Sequence, residues 1–457
     1  MARASRPRHP QRRWAIAAAL VLCAGARAAR ADDAQPKPVR AVDPERVSGV
    51  ARPASEPGDA WSSVAAGLLY IPRETAELVF FATGAAAGLL EDRQVVPRVR
   101  ELVSPPEGEI GLFPTAFVET GHSFNVGARM IASTGAVATT VRAGYGGTDE
   151  VALESRVRVT GTRPLPTALS LEALYDQSTD LEFLGVGQSP ESDARNAFVG
   201  PPRTGLYRER KVRGLVSFGV RPTEDLELLP SLSLTRRRVD DAPDSGSAGI
   251  GRVFAPGTVV GVSGETHVLY GELAFRLDTR KTRGAPSPGA VVEGYAGAAQ
   301  GFGGGVAPDA HLVRVGGRVA AFLPIVRRSN ILSPKITVDH LVAPSGGPVP
   351  FTELTGEPEF RGEDTRRDYA SVVVSLDYRY AIMRYIAGRL FVDSTAVAPD
   401  PSAVDFSAPR FAWGLGVDFA SLDATIGQVA VAFSPESVRL LVTLGVPAEF
   451  GDRQHRD

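Results

Sequence analysis

The sequence predicts an all-β fold, a sixteen-stranded antiparallel transmembrane β-barrel preceded by a short N-terminal periplasmic helix. Three observations predict it. From Phe113 to Val446, strand-length segments alternate apolar with polar or small residues at period two. The polar faces hold charges and glycine while the apolar faces end in aromatics, as expected of strands with lipid outside and water inside. The 457 residues include 48 glycines and 35 prolines, a load that interrupts helices and supplies turns. A soluble β-sandwich also alternates, but the charged faces and an export signal favour the barrel.

Residues 1–31 read as a cleaved secretory signal. Arg3, Arg6, Arg8, Arg12 and Arg13 form a positive start, Trp14–Gly25 supplies a short apolar run, and the small-x-small sites Ala26-Arg27-Ala28 and Ala29-Arg30-Ala31 follow. The run is too short to span a bilayer. Cys23, the only cysteine, follows Leu22, where lipoprotein processing wants a small residue; a single thiol also excludes a disulfide framework. Removing the seven arginines of 1–31 leaves 43 basic against 52 acidic residues, net −9, which argues against a nucleic-acid binder. Residues 32–71 are polar linker. Residues 72–112 read as a periplasmic helical segment opening at Pro72; its apolar stretch Ala76–Leu90 is rich in Ala and Gly and contains Glu77, so it suits a membrane face rather than a span. The barrel occupies 113–446, and 447–457 is a C-terminal tail.

Within the barrel, Phe411, Trp413, Leu415, Val417 and Phe419 share one face against Ala412, Gly414, Gly416 and Asp418. Leu269, Leu273, Phe275 and Leu277 oppose Glu272, Arg276 and Asp278, and Val438, Leu440, Val442 and Leu444 oppose Arg439 and Thr443. Sixteen strands are expected, starting near 113, 122, 137, 151, 166, 205, 225, 264, 289, 309, 329, 369, 386, 408, 424 and 436. An even count returns both chain ends to the periplasmic side. Two connections are long, 177–204 and 344–368, and long loops in compact folds tend to be functional or disordered.

The second long loop carries Phe360-Arg361-Gly362-Glu363. The next strand carries Asp377-Tyr378-Arg379, and the one after it Phe391-Val392-Asp393-Ser394-Thr395. In this order and spacing the set resembles the BamA/TamA family of outer-membrane barrels, the bacterial surface antigen family. The resemblance implies a sixteen-stranded barrel whose sixth outer loop enters the lumen and presents Arg-Gly to a Phe-x-Asp element on strand thirteen. Parity places Arg379 and Asp393 on lumen faces, and Arg361 with Asp393 can form a charge-assisted pair. Thr395 stands where the family has Gly, and Glu363 where an aromatic is common. Residues 32–112 lack the strand-helix-helix-strand pattern of a POTRA domain, so the likeness is to a short form without them. The implied function is assisting insertion or translocation of protein, or lipid, at the outer membrane. A weak seam where 113–119 meets 436–446 would template an incoming strand. The other reading is a passive or loop-plugged channel or structural barrel with no client. Expected partners are outer-membrane lipid and lipopolysaccharide, unfolded outer-membrane protein clients or periplasmic factors, and no nucleic acid.

No enzyme, cofactor or metal site is expected. His122, His267, His311, His340 and His455 are scattered without ligand spacing. Asp339 and His340 fall on opposite faces. Gly301–Gly305 reads as a strand-ending turn rather than a phosphate loop. Arg236-Arg237-Arg238 reads as a solvated loop end, the alternative being attraction of lipopolysaccharide phosphate.

Overall fold

Strands that alternate at period two leave backbone N–H and C=O groups along both edges, and within a membrane each needs a partner. The chain supplies partners by hydrogen-bonding every strand to its sequence neighbours in one antiparallel sheet. The computed structural model describes residues 110–444 apart from 120–124, 148–149, 162–163, 202, 282–286, 326, 358, 364, 383–385 and 421–424. The residues expected to form the export signal, the linker, the helical segment as far as residue 109, and the tail lie outside the described residues.

Sixteen strands stand among the described residues. They are β1 (Ile110–Glu119), β2 (Asn125–Thr134), β3 (Val137–Gly147), β4 (Glu150–Gly161), β5 (Thr167–Phe183), β6 (Gly205–Val220), β7 (Leu226–Asp241) and β8 (Gly264–Asp278). There follow β9 (Gly289–Gly301), β10 (His311–Ile325), β11 (Arg327–Val342), β12 (Ala370–Ala381), β13 (Ile386–Ala398), β14 (Arg410–Ala420), β15 (Thr425–Phe433) and β16 (Val438–Leu444). The last strand returns to the first, but only Val118–Val442 and Glu119–Leu441 are in register there. Over 110–117 the β16-facing edge of β1 has no strand partner among the described residues. Among the described residues the seam is the shortest pairing in the sheet.

The two faces separate as the alternation requires. Leu234, Leu273, Phe411 and Trp413 are exposed on the outer surface, whereas Glu272, Asp278, Asp393 and Asp418 are buried on the inner one. An apolar exterior around a charged interior inverts a soluble protein and suits a barrel in lipid. This is a transmembrane β-barrel fold.

Three sequence expectations need correction. Ile110-Gly111-Leu112, expected in the helical segment before a barrel starting at 113, belong to β1, because they pair with Met130–Ala132 of β2. The first long loop is 184–204, not 177–204. Strand β5 passes a register shift between Ser178 and Leu181, where Asp180 takes a positive φ of 54°, and resumes pairing to Phe183. Arg236-Arg237-Arg238 is not a loop end but part of β7, so its side chains alternate between faces.

Candidate functional site

Loop 343–369 between β11 and β12 turns into the lumen. Phe360 is buried against Val373 and Ala412 on the inner wall, which sets the loop's depth. Glu359 takes the left-handed backbone conformation, φ 69°, that turns the chain toward this contact. Gly362 allows close approach: a Cβ there would lie 2.5 Å from the Phe360 ring and 3.0 Å from the Ala412 Cβ.

Between them Arg361 meets two carboxylates from neighbouring strands. Its Nε and Nη2 donate to the Asp393 Oδ2 and Oδ1 at 2.8 and 2.6 Å, and its backbone N–H donates to the same Oδ2 at 3.1 Å. Its Nη1 and Nη2 donate to the two oxygens of Asp377 at 2.5 and 3.2 Å. The guanidinium lies 3.8 Å above the Phe391 ring, a cation–π contact from the same wall. Phe391 can lie there because it covers Gly414, whose missing side chain leaves room for the ring. Burial lowers the Arg361 pKa, but Asp393 and Asp377 outweigh it and raise it above the ordinary value, so the group stays charged. Arg439 of β16 donates to the carbonyl of Gly362, tying the tip to the last strand.

Glu359 anchors the opposite side of the tip. It accepts from Arg318 Nη1 at 2.6 Å and lies 2.7 Å from Lys335 Nζ. Burial raises its pKa, but Lys335 and Arg318 overcome that and hold it at about 2 against an ordinary 4.5. A depressed carboxylate stabilises the folded loop fully above its unfolded value and loses that contribution as pH falls through its folded one. Loop protection from protease is therefore expected to weaken between about pH 4.5 and about pH 2, with roughly 3 kcal/mol at stake. Glu359→Gln should flatten this dependence; an unchanged pH profile in that variant would remove Glu359 as its cause.

The outward end of the lumen is closed by apolar packing. Phe351, Val349 and Leu354 of the same loop join Ile250, Val253 and Phe254 of loop 242–263, with Phe183 and Tyr207 from the strand ends. The Phe351 ring lies 4.7 Å from Phe183 and 5.2 Å from Tyr207. Backbone hydrogen bonds cross between loops, from Phe351 N–H to Val260, Gly187 N–H to Arg367, and Val199 N–H to Val253. Arg195 of loop 184–204 grips Asp368 with two hydrogen bonds, at 2.7 and 2.8 Å. Arg237 Nη1, pointing inward from β7, holds Glu353 at 2.6 Å.

The motif residues thus divide by face. Phe360, Arg361, Gly362, Asp377, Phe391 and Asp393 converge in the lumen. Arg379 also faces inward, but it lies 3.1 Å from Asp418, which also takes Arg389. Tyr378 points to the outer face, stacked on Tyr380. Sequence reasoning missed Asp377 as the second partner of Arg361, although parity with Arg379 would have placed it. It also missed the apolar cap, whose contacts join distant loops and carry no periodicity. His267, His311 and His340 bond separately to Glu265, Gln300 and the Tyr369 carbonyl, and the described residues contain no metal-ligating cluster.

No protein-family model matches the chain, and no characterised protein matches it by sequence. Among solved structures it is similar to BamA from Haemophilus ducreyi lacking POTRA domains 1-3, at 11% identity and a TM-score of 0.50, over 74% of this chain and 69% of that one. CdiB from Acinetobacter baumannii matches at 10% identity and a TM-score of 0.43, over 73% of this chain and 60% of that one. TodX from Pseudomonas putida matches at 11% identity and a TM-score of 0.31, over 73% of this chain and 87% of that one. At such identities the likeness to BamA is one of fold. The chain has the fold of an outer-membrane β-barrel.

Proposed function

We propose that the protein is an outer-membrane barrel of the BamA/TamA type, exported by a cleaved signal, that assists insertion or translocation of protein at its seam. The observation that carries this reading is the pairing of β1 with β16, which among the described residues spans two positions, beside a loop whose tip is tied to β16 through Arg439. A strand edge with unpaired backbone groups is a template for another strand, and lipid offers those groups no other partner. The contact of Arg361 with Asp393 supports the family reading, since the resemblance implies that meeting of loop and strand. No catalytic chemistry and no cofactor enter the mechanism. Its partners are outer-membrane lipid and unfolded protein clients.

Locking the seam tests the role. With Val118→Cys and Val442→Cys introduced together, oxidation should bridge β1 to β16. The reduced protein should then support normal levels of other outer-membrane proteins, and the oxidised protein should not. Full support by the locked form would remove the seam from the mechanism. Location is checked separately: the mature protein should fractionate with the outer membrane and shift on gels when heated, whereas a soluble pool with no heat-dependent shift would sink the membrane reading. The apolar cap around Phe351 favours a second reading, a plugged structural barrel without a client. Depletion that leaves other outer-membrane proteins unchanged would select it.

A further inference from the structure

Strand β7 carries three successive arginines, and its alternation sends only Arg237 inward. Arg236 and Arg238 point outward, with side chains 66% and 54% exposed. On β6, Arg210 and Arg208 share that face, with Arg210 registered beside Arg238 and Arg208 beside Asp240. On β8, His267 and Glu265 continue the two rows, opposite Arg236 and Arg238. Above Leu234 and Leu269, and beside Val212, which pairs with Arg236, the outward face of these three strands therefore holds four arginines together with two carboxylates, Asp240 and Glu265. Arg236 bonds to Glu265, while Arg210 and Arg238 both reach Asp240 at 3.0 Å.

The level of this cluster identifies its partner. Leu232, Leu234, Leu269 and Val212 are all exposed on the same face, and on β7 the change from leucine to arginine takes one step of the alternation, about 7 Å. That step is where lipid tails give way to headgroups at the outward end of the barrel. Another part of the outward rim is different. On β14 and β15 the corresponding level carries Phe411 and the stacked pair Trp413 and Phe433. A cluster of guanidinium groups across three strands, about 10 Å wide, matches a lipid headgroup bearing more than one phosphate.

We infer that the outward arginines of β6 and β7 form a binding site for a phosphorylated glycolipid of the outer leaflet, each guanidinium pairing with phosphate oxygens at the rim of the apolar band. This rests on the outer-membrane reading above, and the test keeps the two apart. Protein folded in phosphatidylcholine bilayers, its heat-dependent gel shift confirming the barrel, is mixed with lipid A and the bound lipid is counted by native mass spectrometry. The wild type is expected to retain lipid A. The variant R208S/R210S/R236S/R238S should bind at least about ten-fold more weakly with an unchanged gel shift, as expected for loss of charge-assisted contacts. Dephosphorylated lipid A should not be retained, and inorganic phosphate at millimolar concentration should not displace the phosphorylated form. Equal retention by wild type and variant, or equal binding of the dephosphorylated lipid, would overturn the site; displacement by inorganic phosphate would show a free-anion site instead. If the quadruple variant does not fold, R236S/R238S alone should give the same direction of change, and retention equal to wild type there would overturn it too.

Discussion

Arg361→Ala is expected to release loop 343–369 from the lumen wall, with protease cleavage inside the loop appearing in intact cells. The size follows from what is left behind. Asp393 is fully buried and Asp377 half-buried, and both lose their closest cationic partner at once. Removing one partner of a buried pair costs roughly 3–5 kcal/mol, because the remaining charge keeps its desolvation penalty without compensation. Exposed pairs would cost roughly 0–1 kcal/mol. Asp393→Ala should loosen the loop almost as much, and the double variant should be little worse than either single, since both disrupt one interaction. Asp377→Asn should cost less, as Arg361 keeps its three bonds to Asp393. Arg361→Lys should not rescue, because an ammonium cannot serve two carboxylates in the fork geometry of a guanidinium. Strictly additive single and double effects, or an undisturbed loop in Arg361→Ala, would show that the pair does not hold the plug.

How much of this was legible in the sequence depends on whether the signal is local. The strands were: each expected start lies within about three residues of the observed one, since the alternating segments are separated by connections rich in glycine, proline, aspartate and serine. The bulge in β5 was not, because Asp180 in a left-handed conformation looks like any turn aspartate. The Arg361–Asp393 contact was legible from an ordered motif and parity. Its second carboxylate, Asp377, needed only the same parity applied one strand earlier. Arg236-Arg237-Arg238 misled because three like charges suggest a loop. In a strand they are one inward anchor for Glu353 and two outward charges. The cap was beyond reach. Phe183, Phe254 and Phe351 come from three regions far apart in the chain, and nothing in each region's own pattern specifies the meeting.

That cap sets the second large expectation, that the unmodified protein conducts little in planar bilayers. Phe351 is 2% exposed and packs between Phe183 and Tyr207, over a tip held below it by Arg361. Ions must displace both barriers to pass, so conductance should be small and intermittent. Phe351→Ala removes the ring from the centre of the apolar cluster at a cost of roughly 3–5 kcal/mol, enough to raise the open fraction by at least about a hundredfold if the cap alone limits passage. The Arg361 anchor persists in that variant, so the events should become more frequent without becoming permanent. Deleting 344–368 removes both barriers and should give a large, steady current. The order of the three proteins is the informative result. If Phe351→Ala behaves like wild type while Arg361→Ala opens the pore, the ionic anchor alone is the gate and the cap only covers it. If the unmodified protein already carries a large steady current, neither is a plug, and the loop lines a permanent channel instead.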